Sequence, residues 1–222
     1  LYDAKILYHD YWLGQLVKFL RAENRLKDTL LIVTADHGEE FFDHYGWGHG
    51  HSLHQELIQV PLIMFGEGFL PAGFKVKKPV SLLDLFPTLF SLSGLHEILT
   101  LPYPLEGEDL SRALRQEREP DKKEPICSEL TQGSQRARSL IDFPWKIIHS
   151  VFGSEEATEL YNLEDDPQEK SDVSTTYPEE KERLLVSLQK IISLAEEKVF
   201  RSQRRWLSPA EKEKLRSLGY ID

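Results

Sequence analysis

The feature that limits this chain most is the run Thr29-Leu30-Leu31-Ile32-Val33-Thr34, apolar at every interior position and followed at once by Asp36-His37-Gly38. An alternating pattern would put one face of a strand in water. An unbroken run predicts a strand covered on both faces, as in a parallel sheet. A second such run, Val60-Pro61-Leu62-Ile63-Met64-Phe65, follows a histidine-rich stretch. Ahead of the first, the segment from Ala4 to Asn24 carries Ile6, Leu13, Leu16, Val17 and Leu20 at helical spacing. Beyond the second, Ser81 to Ser93 predicts a helix in which Pro87 marks a kink or a start. Helix, buried strand, polar loop, buried strand, helix is α/β organisation, and it occupies residues 1–114.

The pattern changes past Leu114. Arg115 to Glu124 is a charged linker containing proline, and residues 115–222 read as a separate C-terminal subdomain. Four strand-like pieces follow, Pro125–Leu130, Ala137–Ile141, Trp145–Val151 and Glu159–Leu163. Turn residues at Asp142-Phe143-Pro144 and Gly153-Ser154 separate them. Their close spacing predicts a small antiparallel sheet. A long helix from Pro178 to Phe200 comes next, with Leu184, Leu188, Ile191 and Ala195 on one face. Ser208-Pro209-Ala210-Glu211 then reads as the capped start of a short final helix that Gly219 would stop.

Charge and cysteine content remove several functions. The chain has 37 carboxylates against 27 lysines and arginines, which argues against a general nucleic-acid binder. Its single cysteine, Cys127, excludes an intramolecular disulfide and a thiolate zinc site. Cys127 is expected as a small buried residue of the accessory sheet. No apolar run reaches the roughly 20 residues that span a bilayer. The sequence opens at Leu1 rather than Met, within a helical pattern and without signal-peptide architecture, which points to truncation on the N-terminal side.

The chemistry concentrates between Thr34 and Ser52. Asp36 and His37 leave the end of the apolar strand, where open α/β sheets bind ligands. A carboxylate oxygen and an imidazole nitrogen side by side can reach one divalent ion. Then His44, His49, His51 and His54 crowd a loop in which Trp47-Gly48-His49-Gly50-His51-Ser52 alternates glycine with histidine. Glycine permits close approach of an anion, and histidine can serve as cation, acid or ligand. Such a loop is badly suited to packing.

These residues, in this order, resemble the sulfatase family of the alkaline phosphatase superfamily. Thr34-Ala35-Asp36-His37-Gly38-Glu39 is similar to the family's second metal-binding motif. Trp47 to Ser52 through Val60-Pro61-Leu62-Ile63 resembles the loop that carries a basic substrate residue and the core strand after it. Val80-Ser81-Leu82-Leu83-Asp84-Leu85-Phe86-Pro87-Thr88-Leu89 is similar to the next helix. Glu159-Leu160-Tyr161-Asn162-Leu163-Glu164-Asp165-Asp166-Pro167 is similar to the C-terminal signature, and Leu215-Arg216-Ser217-Leu218-Gly219-Tyr220 to a tail of some members.

The resemblance implies that Asp36 and His37 are metal ligands. It places His51, or His49, where a basic residue holds the sulfate and serves the leaving group. Glu39, Glu40, Asp43 and His44 are expected to shape the loop. The ion implied is calcium, and the substrate a small-molecule or glycan sulfate ester. The family's nucleophile, a formylglycine made from a C/S-x-P-x-R motif, is not in this sequence and is expected upstream of Leu1. The chain would then be the C-terminal portion of a sulfatase, inactive alone, from an exported protein of periplasmic, secreted or lysosomal type.

Two alternatives stay open. One is a phosphonate or phosphodiester hydrolase of the same superfamily using manganese or zinc, which suit an imidazole ligand. The other is a non-catalytic metal- or anion-binding module. Asp84 reads as a helix cap, Asp165-Asp166-Pro167 as a turn, and Trp145 and Trp206 as packing residues. Lys75, Lys77 and Lys78 read as a solvated patch, and His9, His54, His96 and His149 as structural histidines.

Overall fold

The computed structural model describes residues 2–101, 104–122, 124–201, 208–209 and 212–214. Two compact units are present, Leu1–Leu184 and Leu185–Asp222. In the first, helix α1 (Tyr2–Ala22) leads into β1 (Leu30–Thr34). Short strands β2 (Glu40–Phe41) and β3 (Trp47–Gly48) fold the histidine loop back on itself, and α2 (Gln55–Ile58) ends it before β4 (Leu62–Gly66). The expected pairing is corrected here. β1 lies antiparallel to β4, with Leu30 opposite Gly66 and Thr34 opposite Leu62. An apolar run reports that side chains are meant to be covered, and carries no information on the direction of the neighbouring strand.

Covering is also incomplete in this unit. α1 buries none of its residues, and Ile6, Trp12, Leu16 and Phe19 are exposed, as are Ile63 and Phe65 of β4. Of the predicted apolar stripe, Leu13, Val17 and Leu20 are half-buried while Ile6 and Leu16 stay exposed.

Past β4, a 3-10 turn at Leu82–Asp84 runs into α3 (Leu85–Leu92), with Pro87 in its first turn, where a missing N–H does no harm. Asp84 is the cap expected of it. Its Oδ2 accepts from the Ser81 N–H at 2.8 Å, while Oδ1 accepts from the Glu108 N–H and from Lys122 Nζ. Helix α4 (Ser111–Arg115) precedes the linker.

Strands β5 (Ile126–Gln132), β6 (Gln135–Asp142), β7 (Trp145–Phe152) and β8 (Glu155–Asn162) form one antiparallel sheet in sequence order. The second and third turns fall at the predicted Asp142-Phe143-Pro144 and Gly153-Ser154, and the first at Gly133-Ser134. Neighbours along a strand point to opposite faces, yet Leu140 and Ile141, Ile147 and Ile148, and Leu160 and Tyr161 are all buried. The sheet is therefore covered on both sides. One face, through Ala137, Ile141, Ile148 and Tyr161, packs with Leu53 of the histidine loop and Leu163.

Cys127 is not buried as expected. It lies in a row with Leu140, Ile147 and Leu160, but on the edge strand β5, and it is exposed. Cover over that face does not extend to the edge. Helix α5 (Pro178–Arg201) begins in the first unit, where Arg183 pairs with Asp142 at 2.6 Å. In the second unit the helix continues to Arg201, and the Lys212 N–H bonds to the Ser208 carbonyl. Trp206, Gly219 and the tail Leu215–Tyr220 lie outside the described residues.

Candidate functional site

Asp36 and His37 follow directly on β1, and Gly38 fixes the exit. Its N–H donates to the Leu57 carbonyl at 2.8 Å, and a Cβ there would overlap the Glu56 carbonyl. Only glycine lets the strand end pass this close to α2. His37 Nδ1 lies 2.9 Å from the Gly38 carbonyl. A carbonyl only accepts, so the proton sits on Nδ1 and the Nε2 lone pair is left free. Nε2 is 3.8 Å from Asp36 Oδ1, and the Asp36 side chain is 90% exposed. A hard oxygen and a tautomer-fixed imidazole nitrogen at this separation fit part of a divalent-metal site. Two ligands do not complete one.

His49 joins them. Its ring centroid is 4.1 Å from that of His37, and its Nδ1 donates to Glu39 Oε1 at 3.2 Å. Gly48 and Gly50 on either side both take positive φ, which lets the loop present His49 back towards the strand end. His51 is held differently. Its Nε2 meets Glu40 Oε2 at 2.6 Å, and its carbonyl accepts from Gln135 Nε2 at 2.7 Å. Asp36, His37 and His49 thus form one cluster, and His51 is engaged by Glu40.

Glu40 is buried, which alone would raise its pKa. Bonds from His51 and from the His44 and Gly46 N–H groups more than offset this and hold it below the usual carboxylate value.

A second network lies between the loop and the four-stranded sheet. His44 Nδ1 is 2.7 Å from Glu56 Oε1, and its Nε2 is 2.8 Å from the Glu169 carbonyl. Both partners are acceptors, so His44 is doubly protonated. Burial opposes that charge, but the two acceptors win and its pKa is raised. The His54 ring stacks on His44 at 3.9 Å and 6°. Burial, together with the His44 charge, pushes His54 down to about 4. One of the two stacked rings carries the proton.

His44, His54 and Glu56 also place ligand atoms within 4.8 Å of one another, close enough for a metal-binding group. Parallel rings, however, direct their in-plane lone pairs side by side rather than to one point. Both nitrogens of His44 are already taken, so this group is read as a hydrogen-bonded support.

Beneath it, Lys146 Nζ and Glu169 Oε1 pair at 2.6 Å with both side chains fully buried. Lys146 also donates to the Leu53 carbonyl and to Gln55 Oε1, and Glu169 Oε2 accepts the Gln55 N–H. Sequence reading missed this pair. Its only trace was a lysine inside the apolar strand Trp145-Lys146-Ile147-Ile148.

The stacked histidines give the fold an expected pH optimum of stability. His44 contributes fully below its unfolded value of 6.5, and that contribution is lost as pH rises through its raised folded value. His54 acts the other way, since stability is lost as pH falls from 6.5 towards about 4 and the folded ring must charge. Urea midpoints should peak near neutrality and fall on either side. A curve that only rises with pH would contradict the His44 assignment.

Comparison with known proteins agrees with this architecture. The sulfatase family profile matches residues 1–95. Human Arylsulfatase K is 30% identical over 186 residues, covering 80% of this chain and 34% of the relative, so the chain spans about a third of that relative's length. BT4656, solved in complex with its substrate D-glucosamine-2-N,6-O-disulfate, superposes with a TM-score of 0.73 at 22% identity, over 84% of this chain and 38% of that one. BT1596, described as a 2-O GAG sulfatase, gives 0.65 at 25% identity, over 89% and 43%. With Asp-His-Gly at the exit of β1, the glycine-histidine loop behind it and the four-stranded sheet beneath, the chain is similar to sulfatases along most of its length, and its residues 1–95 match the sulfatase family.

Proposed function

We propose that this chain is the C-terminal portion of an exported hydrolase of sulfate esters, and that it supplies one side of the active site. The observation that carries the reading is the free Nε2 of His37, 3.8 Å from the exposed Asp36 carboxylate and against the His49 ring. Asp36 and His37 would hold a divalent ion, calcium by first preference, which when bound neutralises charge on the sulfate oxygens. His49, beside His37 and with its Nδ1–H given to Glu39, would donate an N–H from Nε2 to a sulfate oxygen in its doubly protonated form. His51 is suited to exchange a proton with the departing alkoxide. Sulfated glycans are the favoured substrates, because a relative at 25% identity is described as acting on one. The formylglycine nucleophile would lie outside this chain. Cys127, on an exposed edge strand without Pro and Arg partners, does not replace it. The 222 residues alone should therefore turn over nothing, while 115–222 serve as an accessory subdomain that carries the sheet.

A phosphonate or phosphodiester hydrolase using manganese or zinc is the second reading, favoured by imidazole rather than amide as the second ligand. Turnover of an aryl sulfate and an aryl phosphonate ester by the intact protein, before and after chelation, separates the two. Loss on chelation and recovery with calcium on the sulfate supports the first, and recovery with manganese or zinc on the phosphonate supports the second. Turnover of neither would leave a binding module.

A further inference from the structure

Glu40 is 1% exposed, and a carboxylate so buried is tolerable only when its lone pairs are filled. Its two oxygens have different partners. Oε1 accepts both backbone bonds, from His44 N–H at 2.8 Å and from Gly46 N–H at 2.6 Å. Among the described residues, the hydrogen-bond partner of Oε2 is the His51 imidazole, 2.6 Å away at Nε2. An ionised carboxylate has no proton to give, so a contact this short places the proton on Nε2. Gly46 belongs to the same arrangement, because a Cβ at that position would overlap both the His51 ring and the Glu40 carboxylate. Gln135 then ties the His51 backbone from the four-stranded sheet. The outcome is opposite to that at His37, where Nδ1 is tied and Nε2 is free.

We propose that Glu40 is the positioning residue of His51: it keeps the proton on Nε2 and makes Nδ1 the atom that meets the sulfate ester. This rests on the reading of His51 as a substrate residue. Neutral His51 would take a proton at Nδ1, and charged His51 would give one from the same atom. The backbone bonds to Oε1 shape the loop, and the bond to Oε2 sets the chemistry of the ring. One side chain therefore does both, through separate oxygens.

The separation of roles makes a clean test. In Glu40→Gln the amide oxygen can stay on the His44 and Gly46 N–H groups, which puts the NH2 against His51 Nε2. A donor there forces the ring proton to Nδ1. Proton–nitrogen correlation spectra of the histidine-labelled chain read which nitrogen is protonated. The expected result is Nε2–H in the native chain and Nδ1–H in Glu40→Gln. A native His51 with its proton on Nδ1, or a variant whose tautomer is unchanged, overturns the proposal. The native spectrum decides the tautomer even if the variant fails to fold.

In the intact enzyme, Glu40→Gln should lower kcat about 100-fold with KM near native, as expected for a lost proton-transfer geometry. An unchanged kcat would overturn the positioning role. An intact native enzyme without sulfate-ester turnover would strike the underlying functional reading instead, and the tautomer would still decide the proposal.

Discussion

Replacing Lys146 with Met is expected to destabilise the folded chain by about 3–5 kcal/mol, the range for breaking a buried ion pair by removing one partner. Met keeps the hydrophobic stem and removes the charge. Lys146 and Glu169 are both fully buried, and their contact is 2.6 Å. Burial pushes the Lys146 pKa down and that of Glu169 up, and their mutual attraction opposes both shifts. With Lys146 gone, Glu169 keeps the Gln55 N–H on Oε2 but has lost its countercharge, and the Leu53 carbonyl loses its buried donor. Adding Glu169→Gln should recover part of the loss, so the double variant falls short of the sum of the singles. Urea unfolding measures all three. A loss under about 1 kcal/mol for Lys146→Met would mean that the pair contributes no more than a surface ion pair. The effect should also reach the site, since Leu53 and Gln55 close the loop that carries His49 and His51.

Asp36→Ala in the intact enzyme should show the reverse signature. The Asp36 side chain is 90% exposed, and surface substitutions of that kind usually change stability by less than about 0.5 kcal/mol. Turnover of a sulfate ester should nonetheless fall about 1,000-fold or more, because a carboxylate that fixes charge stabilisation at the reacting group is lost. Large activity loss with an unchanged urea midpoint separates a ligand from a packing residue. An active Asp36→Ala enzyme would remove Asp36 from the site.

Much of this arrangement is legible in the sequence, for definite reasons. Asp36-His37-Gly38 could be placed at a strand end because the apolar run before it has one reading as a strand. The four strands of the sheet lie within four residues of their predicted limits, since Asp142-Phe143-Pro144 and Gly153-Ser154 mark two of the three turns. Pairing direction was not legible, as β1 and β4 show. Nor was the division of labour between His49 and His51. Two residues apart, they would share a face in a regular strand, but positive φ at Gly48 and Gly50 breaks any period. His49 therefore meets His37, and His51 meets Glu40. Lys146 was hidden because alternation with Ile147 suggests an outward lysine, whereas the sheet is covered on both faces. Glu169, 23 positions further on, has no local signal at all. Cys127 was misplaced for the converse reason, since it sits where the cover over the Leu140 face ends.

The central claim is that Asp36 and His37 hold the divalent ion of a sulfate-ester hydrolase. The most direct measurement is the metal content of the intact, dialysed enzyme, native against Asp36→Ala/His37→Ala, by elemental mass spectrometry. One divalent ion per native chain and its loss in the double variant is the expected result. Full retention of the ion without Asp36 and His37 would contradict the account.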